Sequence, residues 1–384
     1  MHRLFALLLA LTCISPVYAE EVIDVTGDAE LRAALDRLRP GVRVRIAPGK
    51  YRGPIWLSNV HGTAERPIVI EGADPRDPPY FVGGKEGWHL GDCSYLALRC
   101  LNVRGQSAVG VHVDDEGSFA TPSHHIMLEH IHVSDIGPKG MHDAIKLTGV
   151  DTFLISNCTA NGWGCAAINL LGSRHGVVRG CTFRGAPGYS QLVGVQTKGG
   201  CNDITIHQCR FFDAGVRAIQ IGGFSSPQFL RPSDSTSEAH DIRVSHCTIV
   251  GSETAVSFVG VDGAEVAYNT IYHPGQLPLR ILQENRIAQM VPSRTGYFHH
   301  NLIVYRHADV GVMVNVGDAT DPDSFRFASN AWYSQDRPQS SRPQLPTEEV
   351  AGVYGVDPQL ANPAQEQFAP QTFALQDFGS SAER

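Results

Sequence analysis

The chain has 384 residues, 42% hydrophobic and only 18% charged, with 39 glycines and 23 prolines. This composition excludes both a disordered chain and an Ala/Glu/Lys-rich helical one, and favours a long series of short strands joined by turns. The formal net charge of −8 excludes a generally basic nucleic-acid or membrane-surface binder and leaves only local basic patches.

The N-terminus reads as an address. Met1-His2-Arg3 gives a positive start, Leu4 to Ser15 an apolar run and Val17-Tyr18-Ala19 a small-residue cleavage site, so residues 1–19 are expected to be a signal peptide. The apolar run is too short to span a bilayer, and no later segment approaches the length of a membrane helix. The expectation is a secreted or periplasmic protein beginning near Glu20, with no membrane insertion. Loss of Arg3 leaves 30 basic residues against 39 acidic ones, a net charge of −9. The next segment, Asp28 to Leu38, has helical apolar spacing and an acidic start, and is expected to cap the strands behind it. VRVRI from Val42 and PIVIE from Pro67 read as opening strands.

From Leu96 onward one short pattern recurs: alternating apolar residues, a polar pair, then a Cys or Asn followed by another apolar residue. It reads FLISNCTA from Phe153, GVVRGCTF from Gly176, ITIHQCRF from Ile204 and IRVSHCTI from Ile242. AEVAYNTI from Ala264, GYFHHNLI from Gly296 and FRFASNAW from Phe325 continue it, and LALRCLNV from Leu96 and IMLEHIHV from Ile126 precede it. The aligned column is Leu101, Ile131, Cys158, Cys181, Cys209, Cys247, Asn269, Asn301 and Asn330, at spacings of 22 to 38 residues. The period-2 alternation breaks once before each column residue, so the chain is expected to bend there between two strands. A third strand accompanies most copies: AIKLTG from Ala144, AINLLG from Ala167, GVQTKG from Gly194, AIQIGG from Ala218 and AVSFVG from Ala255, with RILQEN from Arg280 and GVMVNV from Gly311 placed in the same series.

Three strands per coil, repeated along the chain, predict an all-β, right-handed parallel β-helix solenoid over residues 20–334, stacked at roughly 4.8 Å per coil. The tail, residues 335–384, turns rich in Pro, Gln and Ser and is expected to lie outside the solenoid as irregular structure. The column cysteines then read as small apolar core residues, with the asparagines hydrogen-bonding along the stack. Cys93, Cys100, Cys165 and Cys201 are placed in turns or outer positions, with their pairing open. His130, His246 and His300 fall beside the column as an outer edge rather than a metal cluster.

The third strand offers outward columns. The first is read as Ala144, Ala167, Gly194, Ala218, Ala255, Arg280 and Gly311, small through five coils and flattening the surface for a bound chain. The second is Lys146, Asn169, Gln196, Gln220, Ser257, Leu282 and Met313; the third is Thr148, Leu171, Lys198, Gly222, Val259, Glu284 and Asn315. A run of amides flanked by two lysines suits sugar hydroxyls and carboxylates. The insertion from Phe224 to His240 comes after the strand bearing Gln220 and is expected to wall one side of this groove. There is no HExxH, GxSxG, Walker-type loop or paired CxxC.

These features resemble the pectate-lyase-like right-handed β-helix proteins. GTAERPIVIEGADP from Gly62 and Lys198-Gly199-Gly200 resemble, more narrowly, the β-helical alginate lyase and chondroitinase B family of polysaccharide lyases. The resemblance implies Lys198 as catalytic base. The family's acidic calcium ligands have no counterpart here, where Gln191 and Val193 stand, and the Arg-His-Gly motif expected one coil later is Gly222; the nearest arginine is Arg217, and the one RHG, at Arg174, lies a coil too early. No cofactor and no metal ligands are therefore assigned; calcium stays open, with the family's acidic ligands unmatched.

The sequence thus points to an enzyme that acts on an acidic polysaccharide by β-elimination, as a monomer. The catalytic candidates are Lys198, Arg217, Lys146 and His142, with Asn169, Gln196, Gln220, Asp143, Arg280, Glu284 and Arg286 as substrate-binding candidates. β-Elimination needs a base for the proton α to the carboxylate, cationic or amide groups to stabilise the carbanion, and an acid for the leaving oxygen. Uronate epimerisation would use the same abstraction. Glycoside hydrolysis would need facing carboxylates, for which Glu284, Asp143 and the pair His142-Asp143 are the material on offer. A non-catalytic carbohydrate-binding β-helix is the alternative of another class, and would more naturally display aromatic platforms.

Overall fold

The structure, a computed structural model, describes residues 21–382; the leader read from residues 1–19 lies outside the described residues. The chain winds as a right-handed parallel β-helix whose coils pair strand for strand. The coil made of Asp151–Ser156, Thr159–Trp163 and Ala166–Leu171 is succeeded by one made of Arg174–Arg179, Thr182–Arg184 and Val193–Lys198. Phe153 pairs with Gly176, Ala160 with Phe183 and Ile168 with Val195, all in parallel register. One hydrophobic core runs through the stack from Val25 to Trp332. No helix among the described residues is long and apolar enough to cross a membrane.

The corner before each column residue explains the broken alternation. Cys100, His130, Asn157, Gln208, His246, Tyr268, His300 and Ser329 all adopt left-handed backbone, with φ between 50° and 57°, and Gly180 takes the same role at 63°. A single left-handed residue turns the chain sharply and reverses which parity faces inward. Such a residue costs about 1 kcal/mol when it carries a Cβ. Part of that cost is offset where the outward side chains stack: Tyr268 lies over His246 at 5.2 Å and over His300 at 4.8 Å.

All nine residues of the column are 0–1% exposed. The thiols of Cys158, Cys181, Cys209 and Cys247 each donate to the carbonyl two residues back at 3.4 Å. The asparagines form a directed chain. The Cys247 N–H donates to Asn269 Oδ1 at 2.9 Å, Asn269 Nδ2 to Asn301 Oδ1 at 3.0 Å, and Asn301 Nδ2 to Asn330 Oδ1 at 3.0 Å. Asn330 Nδ2 ends the series on Glu349 Oε1 at 2.7 Å. All eight cysteines among the described residues are free. Cys93, in the turn between Glu86–Gly91 and Ser94–Arg104, and Cys201, within a strand, are both core residues, and burial pushes both thiols up to about 12. Cys165 is buried too, and only Cys100 is partly exposed.

Both ends are covered. Helix α1 (Asp28–Leu35) is three residues shorter than the Asp28–Leu38 expectation and seats Leu31 and Ala34 on the first coil. Beyond Ser334, Val353–Tyr354 adds a parallel pairing to Ala331–Ser334. The tail then runs back along the outside, where the Glu366 carboxylate meets Arg184 at 2.8 Å and Arg210 at 3.2 Å.

Replacing Asn301 by Ala removes its bonds to Val266 O and Asn330 Oδ1 and strands the Asn269 amide. Each buried polar group left unpaired costs about 1–3 kcal/mol. Asn301→Ala should therefore lower the thermal unfolding midpoint measurably, whereas Cys209→Ala, which loses only a weak thiol bond and a little volume, should lower it less.

Candidate active site

The third strands of the coils form one ten-stranded parallel sheet. In chain order they are β1 (Ile55–Ser58), β2 (Glu86–Gly91), β3 (Val109–Asp114), β4 (Asp143–Thr148), β5 (Ala166–Leu171), β6 (Val193–Lys198), β7 (Arg217–Gly222), β8 (Thr254–Val259), β9 (Leu277–Leu282) and β10 (Val314–Val316). The register places Lys146, Asn169, Gln196, Gln220 and Ser257 side by side, as the sequence predicts. The column then continues with Arg280 and Asn315 rather than Leu282 and Met313. The expected alignment is two residues late on β9 and two residues early on β10. A two-residue slip leaves every inward position inward, so the hydrophobic pattern cannot detect it. Arg280 consequently joins the amide column, while Glu284 and Arg286 lie past β9 on the loop beyond it.

The small column is also reassigned. Ala144, Ala167, Ala218 and Ala255 do not flatten the outer surface; they are buried in the main core. Small residues are required there because the strand enters at a corner. A Cβ on Gly194 would sit 2.4 Å from Ala218 O and 3.1 Å from the Phe211 ring.

The amide column is more enclosed than a solvated sheet face. Asn169, Gln196 and Gln220 are 4%, 6% and 3% exposed. Asn169 Nδ2 donates to Asp143 Oδ2 at 2.9 Å, and the other Asp143 oxygen accepts the Ala166 N–H at 3.0 Å. Asp143 is thus turned onto the next coil and forms no acid/base pair with His142, whose ring packs on the Gly137 turn. Gln196 and Gln220 both reach Gly222 O at 3.5 Å. Asn169 Oδ1, Gln220 Oε1 and Ser257 Oγ are buried without a hydrogen-bond partner, and the donor Arg280 Nε is in the same condition. Lys146 and Lys198 are half-buried at the edge of this row, and Lys198 Nζ lies 3.5 Å from Phe224 O.

Arg217 stands elsewhere. It pairs with Val193, at the opposite end of the strand from Lys198, roughly 16 Å away at 3.3 Å per residue. Its neighbour Val216 lines a separate cleft of about 450 Å³, together with Gln191, Asp213, Ser252, Glu253 and His273 among others. The residues before Lys198 do not fit a calcium site of the expected family type: Val193 is buried, and Gln191 is used up bonding Ala186 within its own turn.

The Phe224–His240 insertion does wall the groove. Arg231 N–H donates to Gly199 O at 2.9 Å, and its guanidinium reaches the buried Asp115 carboxylate at 3.1 Å, four coils towards the N-terminus. The wall is held by Glu238, fully buried, whose carboxylate accepts from Gly199 N–H, Ser225 N–H, Ser225 Oγ and Asn285 Nδ2 at 2.6–2.8 Å.

The column also runs past Lys146, where the sequence pattern ends it. It continues through His112, His89 and Trp56. Trp56 is 59% exposed and its ring stacks on His89 at 3.7 Å. Glu86 and Asp114 flank the two imidazoles. Glu86 Oε2 is 2.7 Å from His89 Nδ1, and Asp114 Oδ2 is 3.1 Å from His89 Nε2. The imidazoles of His112 and His89 hold the Glu86 carboxyl far below its ordinary range. Burial opposes charge on His89, but Asp114 and Glu86 outweigh it and raise the ring to about 9. The signal that could have found this cluster is the repeated Gly87-Trp88-His89 and Gly110-Val111-His112, the same small–apolar–polar order as Ala167-Ile168-Asn169.

Glu238→Ala should unfasten the wall while leaving the solenoid folded. The expected outcome is loss of hydrogen-exchange protection at the Gly199 and Ser225 amides, with core amides of β5 unchanged.

The family model described as right handed beta helix region matches residues 89–236. No curated protein matches the chain. Among solved structures, the alginate lyase from Paenibacillus sp. str. FPU-7 is 15% identical, superposes with a TM-score of 0.55, and the match covers 88% of this chain and 99% of that one. The GH136 lacto-N-biosidase from Eubacterium ramulus is 13% identical over 87% of this chain and 68% of that one, with a TM-score of 0.59. A rhamnogalacturonan lyase is 12% identical over 87% and 85%, with a TM-score of 0.55. At such identities the likeness carries the architecture and not the chemistry. Strand register and superposition together show that the chain has the right-handed parallel β-helix fold, and the family model of that name matches part of it.

Proposed function

We propose that the chain is an exported carbohydrate-active enzyme that cleaves a uronate-containing polysaccharide by β-elimination on the outer face of β4–β9. The observation that carries this reading is the row of buried amides with unpaired oxygens, Asn169 Oδ1 and Gln220 Oε1, set between Lys146 and Lys198. Buried acceptors without partners are rare in folded proteins and call for donors from outside, which sugar hydroxyls supply. The two lysines supply charge for a carboxylate, and the β-helix lyases among the similar structures make the chemistry consistent with the fold.

In this reading Lys198, in its neutral form, takes the proton α to the uronate carboxylate. The electron pair left behind forms the carbon–carbon double bond as the glycosidic oxygen departs, and that oxygen receives a proton from solvent or from Lys146. Asn169, Gln196, Gln220 and Arg280 bind the neighbouring sugar units. Arg217 lies too far along the strand to hold the same carboxylate as Lys198, so any role it has belongs to a separate subsite at the other end of the strand. Hydrolysis is less well supported, because Glu86 and Asp114, which flank the histidines on this face, are both held ionised and neither offers a raised acid. One observation favours a binding module instead: Trp56 is an exposed platform in the same column.

Incubation with a panel of alginate, pectate, chondroitin, heparin and glucuronan should raise the ultraviolet absorbance of an unsaturated uronate with at least one polymer. Lys198→Ala should cut that rate by on the order of 10²–10⁴-fold. New reducing ends without absorbance would replace elimination by hydrolysis. Retention of a polymer that depends on Trp56, with no turnover, would replace the enzyme by a binding module.

A further inference from the structure

The face carries a second cluster of polar side chains, in β2 and β3. Among the described residues, Glu86, His89 and His112 bring one ligating atom each to within 4.8 Å of the others. Glu86 Oε2 lies 2.7 Å from His89 Nδ1 and 3.8 Å from His112 Nδ1. On the far side, Asp114 Oδ2 lies 3.1 Å from His89 Nε2 and 3.6 Å from His112 Nε2. An ion-pair reading accounts for His89, which can bridge two carboxylates as a cation. It accounts less well for His112, whose nitrogens stand 3.6–3.8 Å from the same two carboxylates. Both of its ring nitrogens are buried, neither makes a hydrogen bond, and only 13% of its side-chain surface is exposed. A buried imidazole with no hydrogen bond at either nitrogen is unfavourable, and a group that accepts one lone pair and leaves the opposite N–H to a carboxylate would resolve it.

We propose that Glu86, His89 and His112 form a binding site for a divalent first-row transition-metal ion, with Asp114 orienting both imidazoles from behind. Two imidazoles and a carboxylate are the donor set of zinc and its neighbours, whereas calcium takes oxygen ligands. A tetrahedral ion with bonds of about 2.1 Å needs donor atoms roughly 3.4 Å apart, so the observed separations require only small side-chain movements. A carboxylate that accepts the outer N–H of a metal-bound histidine is the usual supporting arrangement, and Asp114 stands in that place for both rings. Three protein ligands leave one position for water or for a saccharide oxygen. A saccharide ligand there rests on the lyase groove proposed for β4–β9; the metal site itself does not.

The test uses the tag-free chain without its leader, stripped with a chelator, then titrated with Zn²⁺ by calorimetry and with Co²⁺ by visible absorption. One ion per chain is expected, with cobalt bands typical of nitrogen and oxygen coordination. Glu86→Gln and His112→Ala should each weaken binding by at least about 100-fold, and Asp114→Asn by about 10–100-fold. Circular dichroism of each metal-free variant checks its fold; should His112→Ala not fold, Glu86→Gln, at a partly exposed carboxylate, carries the test. Absence of saturable binding in the unaltered chain overturns the proposal, as does affinity that Glu86→Gln leaves unchanged. Neither result depends on lyase activity, so failure of the metal site and failure of the groove are separable.

Discussion

One backbone constraint underlies the rest of the molecule: each coil must place a residue in the left-handed region at the same corner. In an ordinary strand, alternate side chains face opposite sides. The left-handed residue breaks that alternation, so apolar side chains on both sides of the corner point into one core. Once the corner is fixed in every coil, the residue after it must stack on its counterparts above and below. The column from Leu101 to Asn330 is that stack. The position tolerates Leu, Ile, Cys or Asn, provided the group is small enough and its polar atoms are satisfied. Loop lengths are free to vary, because they leave after the strands have registered.

The same stacking makes the outer face a linear array. Every third strand contributes one side chain to each column, so a function that tracks a polymer can be written one coil at a time. The array here has two halves. From Lys146 to Arg280 it is cationic and amide-rich; from Trp56 to His112 it is aromatic, imidazole and carboxylate. The insertion after β7 joins them physically, since Glu238 fastens it beside Lys198 while Arg231 reaches Asp115, the residue next to Asp114. A change in that loop is therefore felt at both halves.

What is legible in the sequence depends on what its pattern records. Burial with a two-residue period is recorded strongly, so the coils, the Cys/Asn column and the amide run from Lys146 to Gln220 can be read directly. Registration within one parity is not recorded, and Arg280 and Asn315 fall two residues from their expected alignment for that reason. The small residues at Ala144 and Ala167 read as outward only if alternation is carried through a corner where it fails. Glu86, His89 and His112 escape notice because their coils have no Cys or Asn to mark them, although the Gly-x-His repeat is present. The enclosure of Asn169 and Gln220 is not legible at all: it depends on neighbours brought together by stacking and by the folded-back insertion.

The asparagine chain has a direction. Each side-chain amide gives a hydrogen to the next coil towards the C-terminus and takes one from the coil before, so the final coil needs an acceptor that asks for nothing in return. The carboxylate of Glu349 is such a group. The tail therefore acts as a chemical terminator: it finishes a stack whose last rung would otherwise remain an open template for another coil or another molecule. It also sets where this architecture can change length. A coil inserted or deleted among the cysteine rungs orphans no donor, while one appended past Asn330 must carry its own terminator. Change of coil number is thus best tolerated in the body of the solenoid, the part that bears the amide column.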